Sequence, residues 1–535
     1  MARGTPSHVE PATLADIVRF HARLVPDREA AIYGTRRLTY RDLARELDRY
    51  AGAFRAAGVG PGDRIAMLST PRPEFLLALL ASMQLGALWV GLNPRYQLPE
   101  LRFVLGHCQP KLLIAMSALS TGRSFEADVR ALAADVESLE HVVTLDASWA
   151  GVSTRLETFL AAAEGAETSA ASHVPRRADP AVIVYTSGST GRPKGAVLPN
   201  SSFFHSHAAL AESFAGHEGV RAAHRIICNL PINHVGCQAD VCGNALIDGG
   251  TIVFMDSFEP ARIPAVIERE RITILGGLPL MHQQVFDQPA LDRVDLSSLE
   301  AIAWGGAPMP RALLERLQDA GYLFSMHYGL TEGGSINSVS HPGSSLDVLT
   351  ETIGWPDHDH DYRVMTAAGA AADVGEIGEI QVRGHGVMLG YYSDVEATRA
   401  AFTDDGWLRT ADLVECRADG AWRFVGRSTE MFKSGGYNVY PREVELALET
   451  CPAVAAAAVV GIPHQTFDEV GWAFVVPAAR TPLDESLLRA HAAACLANYK
   501  IPKRFVLVDS LPVLAVGKVD KRALRARAIG MSGAT

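Results

Sequence analysis

The sequence predicts an α/β protein, with a large N-terminal domain of layered sheets and helices and a smaller C-terminal α+β domain. Three observations carry this. Short apolar runs alternate with amphipathic segments through most of the chain, the pattern of βαβ units and largely parallel sheets. After about residue 364 the apolar runs shorten and turn residues crowd in, and from Arg427 a compact α/β pattern follows. The length, 535 residues, also exceeds what one hydrophobic core usually organises.

Taken in order, Thr39-Tyr-Arg-Asp42 forms a capping box for a helix whose Leu43, Leu47, Tyr50, Ala51 and Phe54 share one face. The stretch from Gly58 to Gly62 stops it, and 64–69 reads as a buried strand. Helix 73–85, strand 87–92, helix 97–106 and strand 111–116 repeat the pattern. The apolar run 75–92 is interrupted by Gln84 and Gly86, so it reads as a buried helix and strand rather than a membrane span. Residues 161–179 read as a surface connection. Beyond it come strands 226–230, 251–255, 272–275 and 300–304 with a helix at 261–269, then short strands at 379–383, 406–408 and 422–425. A helix at 441–449, strands 454–461 and 471–476, helix 485–497 and strand 505–508 complete the chain.

Bulk properties narrow the function. A net charge of −11 argues against general binding to nucleic acid or to anionic membranes. Seven scattered cysteines without a CxxC pair suit reduced thiols in a cytoplasmic protein and give no zinc pattern. The N-terminus shows no apolar core of a signal peptide. The oligomeric state, homodimer included, stays open.

The chemistry concentrates in Tyr185-Thr-Ser-Gly-Ser-Thr-Gly-Arg-Pro-Lys-Gly195, where three glycines, four hydroxyls of Ser and Thr and two cations follow an apolar run. Bare amides, hydroxyls and charged tips on such a loop suit a polyphosphate. It departs from a Walker A loop, because Pro193 precedes Lys194 and Gly195 follows it. Trp304-Gly-Gly-Ala-Pro308 would let a flat ring approach the backbone. Tyr328-Gly-Leu-Thr-Glu332 sets a ring, a hydroxyl and a carboxylate on one short loop, and a carboxylate beside phosphates suits magnesium. Trp407-Leu-Arg-Thr-Ala-Asp412 offers an acid for ribose hydroxyls. Arg427, the run Lys433-Ser-Gly-Gly-Tyr437 and the terminal Gly517-Lys518 add cations beside glycine turns.

In this order the clusters resemble the adenylate-forming superfamily, in its acyl-CoA synthetase branch, over nearly the whole chain. The resemblance implies an N-terminal adenylate-binding domain, 1–426, and a mobile C-terminal domain, 427–535, that swings about a hinge near 427–429. It implies that Thr186, Ser187, Gly188, Ser189, Thr190, Gly191 and Lys194 hold the ATP phosphates. Gly306, Ala307 and Tyr328 would border the adenine, with Pro308 and Gly329 in the same cofactor-binding set. Thr331 would lie near the α-phosphate, Glu332 would bind Mg2+, and Asp412 and Arg427 would hold the ribose. Lys518 would serve adenylation, while Lys433, Gly435, Gly436 and Tyr437 would serve coenzyme A. His234, in Pro231-Ile-Asn-His-Val-Gly236, would stand beside the acyl carboxylate. The catalytic set is thus Lys518, Glu332, Thr186 and His234.

The implied activity is an ATP-dependent acid:CoA ligase that acts through an acyl-AMP. The alternatives are an enzyme of one half-reaction, a loader of carrier proteins, and a binder of acyl-adenylate. No aspartate at 232–236 offers itself to a substrate ammonium, and small residues Gly236, Cys237, Gly305 and Gly306 point to a bulky aryl, alicyclic or fatty acid. Ala411 stands where the family usually has glycine, and Thr429-Glu430 where its hinge usually has Asp or Lys followed by Asp. His358-Asp-His-Asp361 has metal-ligand residue types, but a solvated polar loop is the expectation there.

Overall fold

The computed structural model describes residues 10–164, 173–186, 193–478, 482–513 and 519–532. Packing divides the chain into two compact units, Met1–Tyr362 with Val382–Leu408, and Arg363–Gln381 with Arg409–Thr535. The fold is mixed α/β, as expected.

In the first unit, the described residues form two large sheets. The eight-stranded one runs Gly390–Tyr391, Lys194–Pro199, Pro180–Thr186, Leu88–Leu92, Arg64–Leu68, Leu112–Ala115, His141–Thr144 and Thr154–Arg155. The nine-stranded one places Ala301–Gly305 between Ile274–Gly277 and Leu323–Leu330. Parallel pairing dominates both, because helices return the chain across the sheet faces.

Helix Pro73–Leu85 packs between the sheets. Pro73 opens it, Gly86 closes it at φ 68, and all but Glu74 and Gln84 are buried. Its Phe75 meets Trp89 of one sheet and Phe254 of the other at ring centroid distances of 5.7 and 6.1 Å. The apolar run 75–92 is therefore core, and no helix among the described residues is long and apolar enough to cross a membrane. Helix Tyr40–Ala56 begins at the expected capping box, with Thr39 and Asp42 bonded reciprocally.

In the second unit a four-stranded sheet pairs Leu408–Cys416 with Trp422–Arg427. A five-stranded sheet holds the long hairpin Val454–His464 and Asp468–Pro477, with Arg504–Leu507 added in parallel. Helices Pro441–Glu449 and Glu485–Cys495 bury Val444, Leu448, Leu488 and Ala492 in one cluster with Val459 and Val475 of that hairpin.

Candidate active site

Strand Pro180–Thr186 turns back into strand Lys194–Pro199 as an antiparallel hairpin, with Tyr185 opposite Gly195 and Thr186 opposite Lys194. A Walker A loop leads into a helix, so the returning strand excludes that architecture. The hairpin needs Gly195, since a Cβ there would stand 2.7 Å from Ile183 Cγ2. Residues 187–192 at its tip, including Ser187, Gly188, Ser189, Thr190 and Gly191, lie outside the described residues.

One post of the hairpin, Thr186, and Tyr391 of the adjoining strand Gly390–Tyr391 meet the carboxylate expected for magnesium. Thr186 Oγ1 donates to Glu332 Oε1 at 3.0 Å, and Tyr391 Oη donates to the same oxygen at 3.1 Å. Lys194 Nζ lies 5.1 Å from the centre of the Tyr391 ring. Burial first, then the neighbouring Glu332, pushes the Tyr391 phenol far up, so it stays a donor at working pH. A carboxylate held by two hydroxyls, with an ammonium alongside, is an oxygen donor set that fits Mg2+ carrying phosphate oxygens.

The WGGAP and YGLTE motifs emerge side by side for a topological reason. Strands Ala301–Gly305 and Leu323–Leu330 pair in parallel with Gly305 opposite His327, so both chains leave the sheet at their carboxyl ends together. Gly306 takes φ 80, and Ala307 and Pro308 follow it exposed. A Cβ on Gly305 would meet His327 at 2.8 Å. Gly329 is stricter still: a Cβ there would lie 1.6 Å from the Ser335 carbonyl oxygen, at a bulge beside Tyr328. Thr331–Gly333 forms one 3-10 turn that aims Glu332 at the hairpin, and the Met388 amide ties down the Glu332 carbonyl at 2.9 Å.

His234 precedes a π-helical segment, Gly236–Gly243. The Gly236 amide donates to His234 Nδ1 at 3.0 Å, which leaves Nε2 to carry the ring proton. Asn233 is buried and donates to Tyr96 Oη at 3.2 Å. Cys237 faces the core, where its sulfur lies 3.6 Å from that of Cys228, itself 3.7 Å from that of Cys242. Scattered in sequence, these three thiols converge in the fold. Burial pushes Cys237 and Cys242 up, so they pack as neutral groups. Sequence reasoning missed Asp240, whose carboxylate accepts hydroxyls from Ser206 at 2.8 Å and Ser335 at 2.6 Å. A π-helix gave no periodic signal by which to place it beside His234.

The second unit holds other residues that the sequence singles out. Asp412 is buried, and Arg427, directly opposite it in the sheet, donates Nε to Asp412 Oδ1 at 2.8 Å. Ala411 sits at φ 61, with its amide on Glu379 at 3.0 Å and its carbonyl accepting the Ser428 amide at 2.8 Å. Lys433 lies on strand Phe432–Ser434, which turns through Gly435 and Gly436 at φ 59 and 86 into Tyr437–Val439. Two successive positive φ values make this a type I′ turn. Tyr437 is exposed and stacks on Tyr499 at 4.6 Å. Lys518 lies outside the described residues.

One expectation is corrected. Residues 358–361 are not simply a solvated loop: His360 is buried and stacks on His205 at 3.4 Å, while Asp359 binds His205 at 2.9 Å and His385 at 3.0 Å. Hydrogen bonds from those two rings hold the Asp359 carboxyl far below its usual range. The ring-lined interior that receives this segment comes from residues distant in sequence, which composition does not reveal.

Comparison with known proteins completes the picture. The AMP-binding enzyme model matches residues 18–392 and the AMP-binding enzyme C-terminal domain model matches 443–518. A feruloyl-CoA synthase of Amycolatopsis sp is 35% identical over 95% of this chain and 97% of its own. The 3-[(3aS,4S,7aS)-7a-methyl-1,5-dioxo-octahydro-1H-inden-4-yl]propanoyl:CoA ligase of Mycobacterium tuberculosis is 36% identical over 96% and 98%. ATP-bound MatB from Rhodopseudomonas palustris superposes with a TM-score of 0.83 at 27% identity, over 97% of this chain and 99% of that one. With both family models in place and relatives aligned end to end, the chain belongs to the AMP-binding enzyme family, in its acyl-CoA ligase branch.

Proposed function

We propose that this protein activates a bulky aryl or alicyclic carboxylic acid with Mg-ATP and passes the acyl group to coenzyme A. The observation that carries the reading is the joining of the hairpin posts Thr186 and Lys194 to Glu332 and Tyr391, a cradle for phosphate and its metal. The feruloyl and fused-ring propanoyl groups of the relatives support a bulky acid.

In the first half-reaction a carboxylate oxygen bonds to the α-phosphorus and pyrophosphate leaves, giving the acyl-AMP. Negative charge shifts onto phosphate oxygens, so catalysis is mainly positioning and neutralisation. Mg2+, when bound, supplies positive charge to those oxygens. Glu332 holds the metal, Thr186 and Tyr391 hold Glu332, and Lys194 and Lys518 supply cations. Tyr328, Gly306 and Ala307 border the adenine, with Pro308 and Gly329 in the same cofactor-binding set, Thr331 lies near the α-phosphate, and Asp412 with Arg427 receives the ribose. His234 orients the acid. In the second half-reaction the thiol of coenzyme A attacks the acyl carbon and AMP leaves, with Lys433, Gly435, Gly436 and Tyr437 lining the thiol's approach. The working division of the chain is placed at Arg427.

The test is a pair of assays across a panel of acids: ATP–pyrophosphate exchange, and thioester formation from premade acyl-adenylate with CoA. Lys518→Ala should lower exchange roughly a hundredfold to a thousandfold, the scale of one preorganised donor, and spare the second assay. Exchange at the parent rate in that variant would remove Lys518 from the mechanism, and exchange without any thioester would favour a carrier-protein acceptor.

A further inference from the structure

Between residues 232 and 246 only His234 and Asp240 keep accessible surface; every other side chain there is buried. The two share one space. The point where a Gly236 Cβ would stand is 3.0 Å from His234 Nδ1 and 3.4 Å from Asp240 Oδ2. A side chain at 236 would crowd both groups, so glycine there leaves the facing edges of imidazole and carboxylate uncovered, across a gap too narrow for a methyl group. Both hydroxyl donors to Asp240, Ser206 and Ser335, fall on Oδ1, and among the described residues none is recorded on Oδ2. Each carboxylate oxygen can accept two hydrogen bonds. One oxygen is thus saturated by the protein while the other faces the gap.

We propose that Asp240 is a hydrogen-bond-accepting subsite of the acyl pocket, selecting acids that carry a hydroxyl or amino donor near the activated carboxylate. This rests on the placement of His234 beside the acid. Burial raises the Asp240 carboxyl to about 6, against the two serine donors and nearby His205, so the ionised acceptor form prevails at neutral pH. Oδ2, which the protein leaves to solvent, is a ready acceptor, and a bound hydroxyl or amine in place of that solvent gives it a donor. An acid with hydrogen or a methyl ether in that place leaves the oxygen unmet. Sites built to bond a substrate donor reject analogues lacking it far more strongly than apolar pockets reject a missing methylene.

The experiment compares 2-, 3- and 4-hydroxybenzoate and the three hydroxyphenylpropanoates with their methoxy counterparts. Each pair is read by pyrophosphate exchange and by calorimetric binding without ATP, for the parent protein, Asp240→Asn and Ser206→Ala. The parent should favour at least one hydroxylated acid by about tenfold or more in kcat/KM, mainly through KM. Asp240→Asn keeps the volume and an Oδ1 acceptor but turns a donor into the gap, so it should abolish that preference. Ser206→Ala, which loosens only the anchor, should lower thermal stability and keep the preference. Exchange without preference overturns the subsite and leaves the ligase reading standing. A binding preference lost in Asp240→Asn, with no exchange for any acid, supports the subsite and overturns the ligase reading. Failure of every hydroxylated acid to bind or react overturns the subsite.

Discussion

Thr186 and Glu332, 146 residues apart in the chain, meet through a 3.0 Å hydrogen bond that joins the phosphate hairpin to the carboxylate of the YGLTE turn. Glu332→Gln removes the charge but keeps the shape. It should lower pyrophosphate exchange roughly a hundredfold or more and raise the magnesium needed for half-maximal rate. Tyr391→Phe deletes one of the two hydroxyls on Oε1 and should cost about tenfold, the scale of one hydrogen bond to a charged group. Parent-like magnesium dependence in Glu332→Gln would remove it from the metal site.

Ala411 occupies a left-handed backbone conformation at φ 61, which costs a residue with a Cβ about 1–2 kcal/mol. Ala411→Gly relieves that strain and gives back part of it as unfolded-chain entropy, for a net gain of about 0.5–1 kcal/mol. Ala411→Val should destabilise by about 2 kcal/mol or more, because β-branching deepens the clash. Urea denaturation of the three proteins checks the order Gly, Ala, Val.

A Cβ on Gly436 would meet nothing within 4 Å, so packing does not forbid a side chain there. The φ of 86 does disfavour most residues, though asparagine tolerates it. Gly436→Asn should therefore preserve the turn, whereas Gly436→Phe should slow thioester formation from premade acyl-adenylate by up to about a hundredfold. Pyrophosphate exchange should survive in both. Equal losses in the two half-reactions would count against the pantetheine passage.

His282 is buried and donates Nε2 to the Ala303 carbonyl at 3.0 Å, beneath the WGGAP strand. Burial lowers its pKa from 6.5 to about 4, so between those values the unfolded chain binds the extra proton. Stability from this group is complete above pH 6.5 and is lost as pH falls toward 4, on the order of 3 kcal/mol in total. His282→Gln should flatten that part of the stability–pH curve. An unchanged slope between pH 6.5 and 4 would show that His282 does not titrate there.

Elements were legible where local chemistry marks both ends. Pro73 and Gly86 bracket a helix, and Thr39 with Asp42 cap another, so both appear where the sequence places them. The motifs of the site were legible as residue types, because a polyphosphate demands glycine, hydroxyl and cation together. Their assembly was not. Tyr391 carries no marker in sequence, and it reaches Glu332 only because Gly390–Tyr391 pairs with the outgoing strand of the hairpin. Asp240 stayed hidden because a π-helix shifts residues off the 3.6 period by which a face is read. The burial of His360 depends on His205, 155 positions upstream by number, which no local pattern encodes.

The 1.6 Å between a Cβ at position 329 and the Ser335 carbonyl oxygen has a consequence for the gene as much as for the fold. Every single-base change that leaves a glycine codon for another amino acid adds at least that one carbon, and backbone rather than a pliable side chain stands in its way. Position 329 should therefore admit no residue but glycine in a saturation library. Gly343, at φ 75 with open space around it, should accept asparagine. Two glycines alike in sequence thus differ in evolutionary freedom, one closed to drift and the other open.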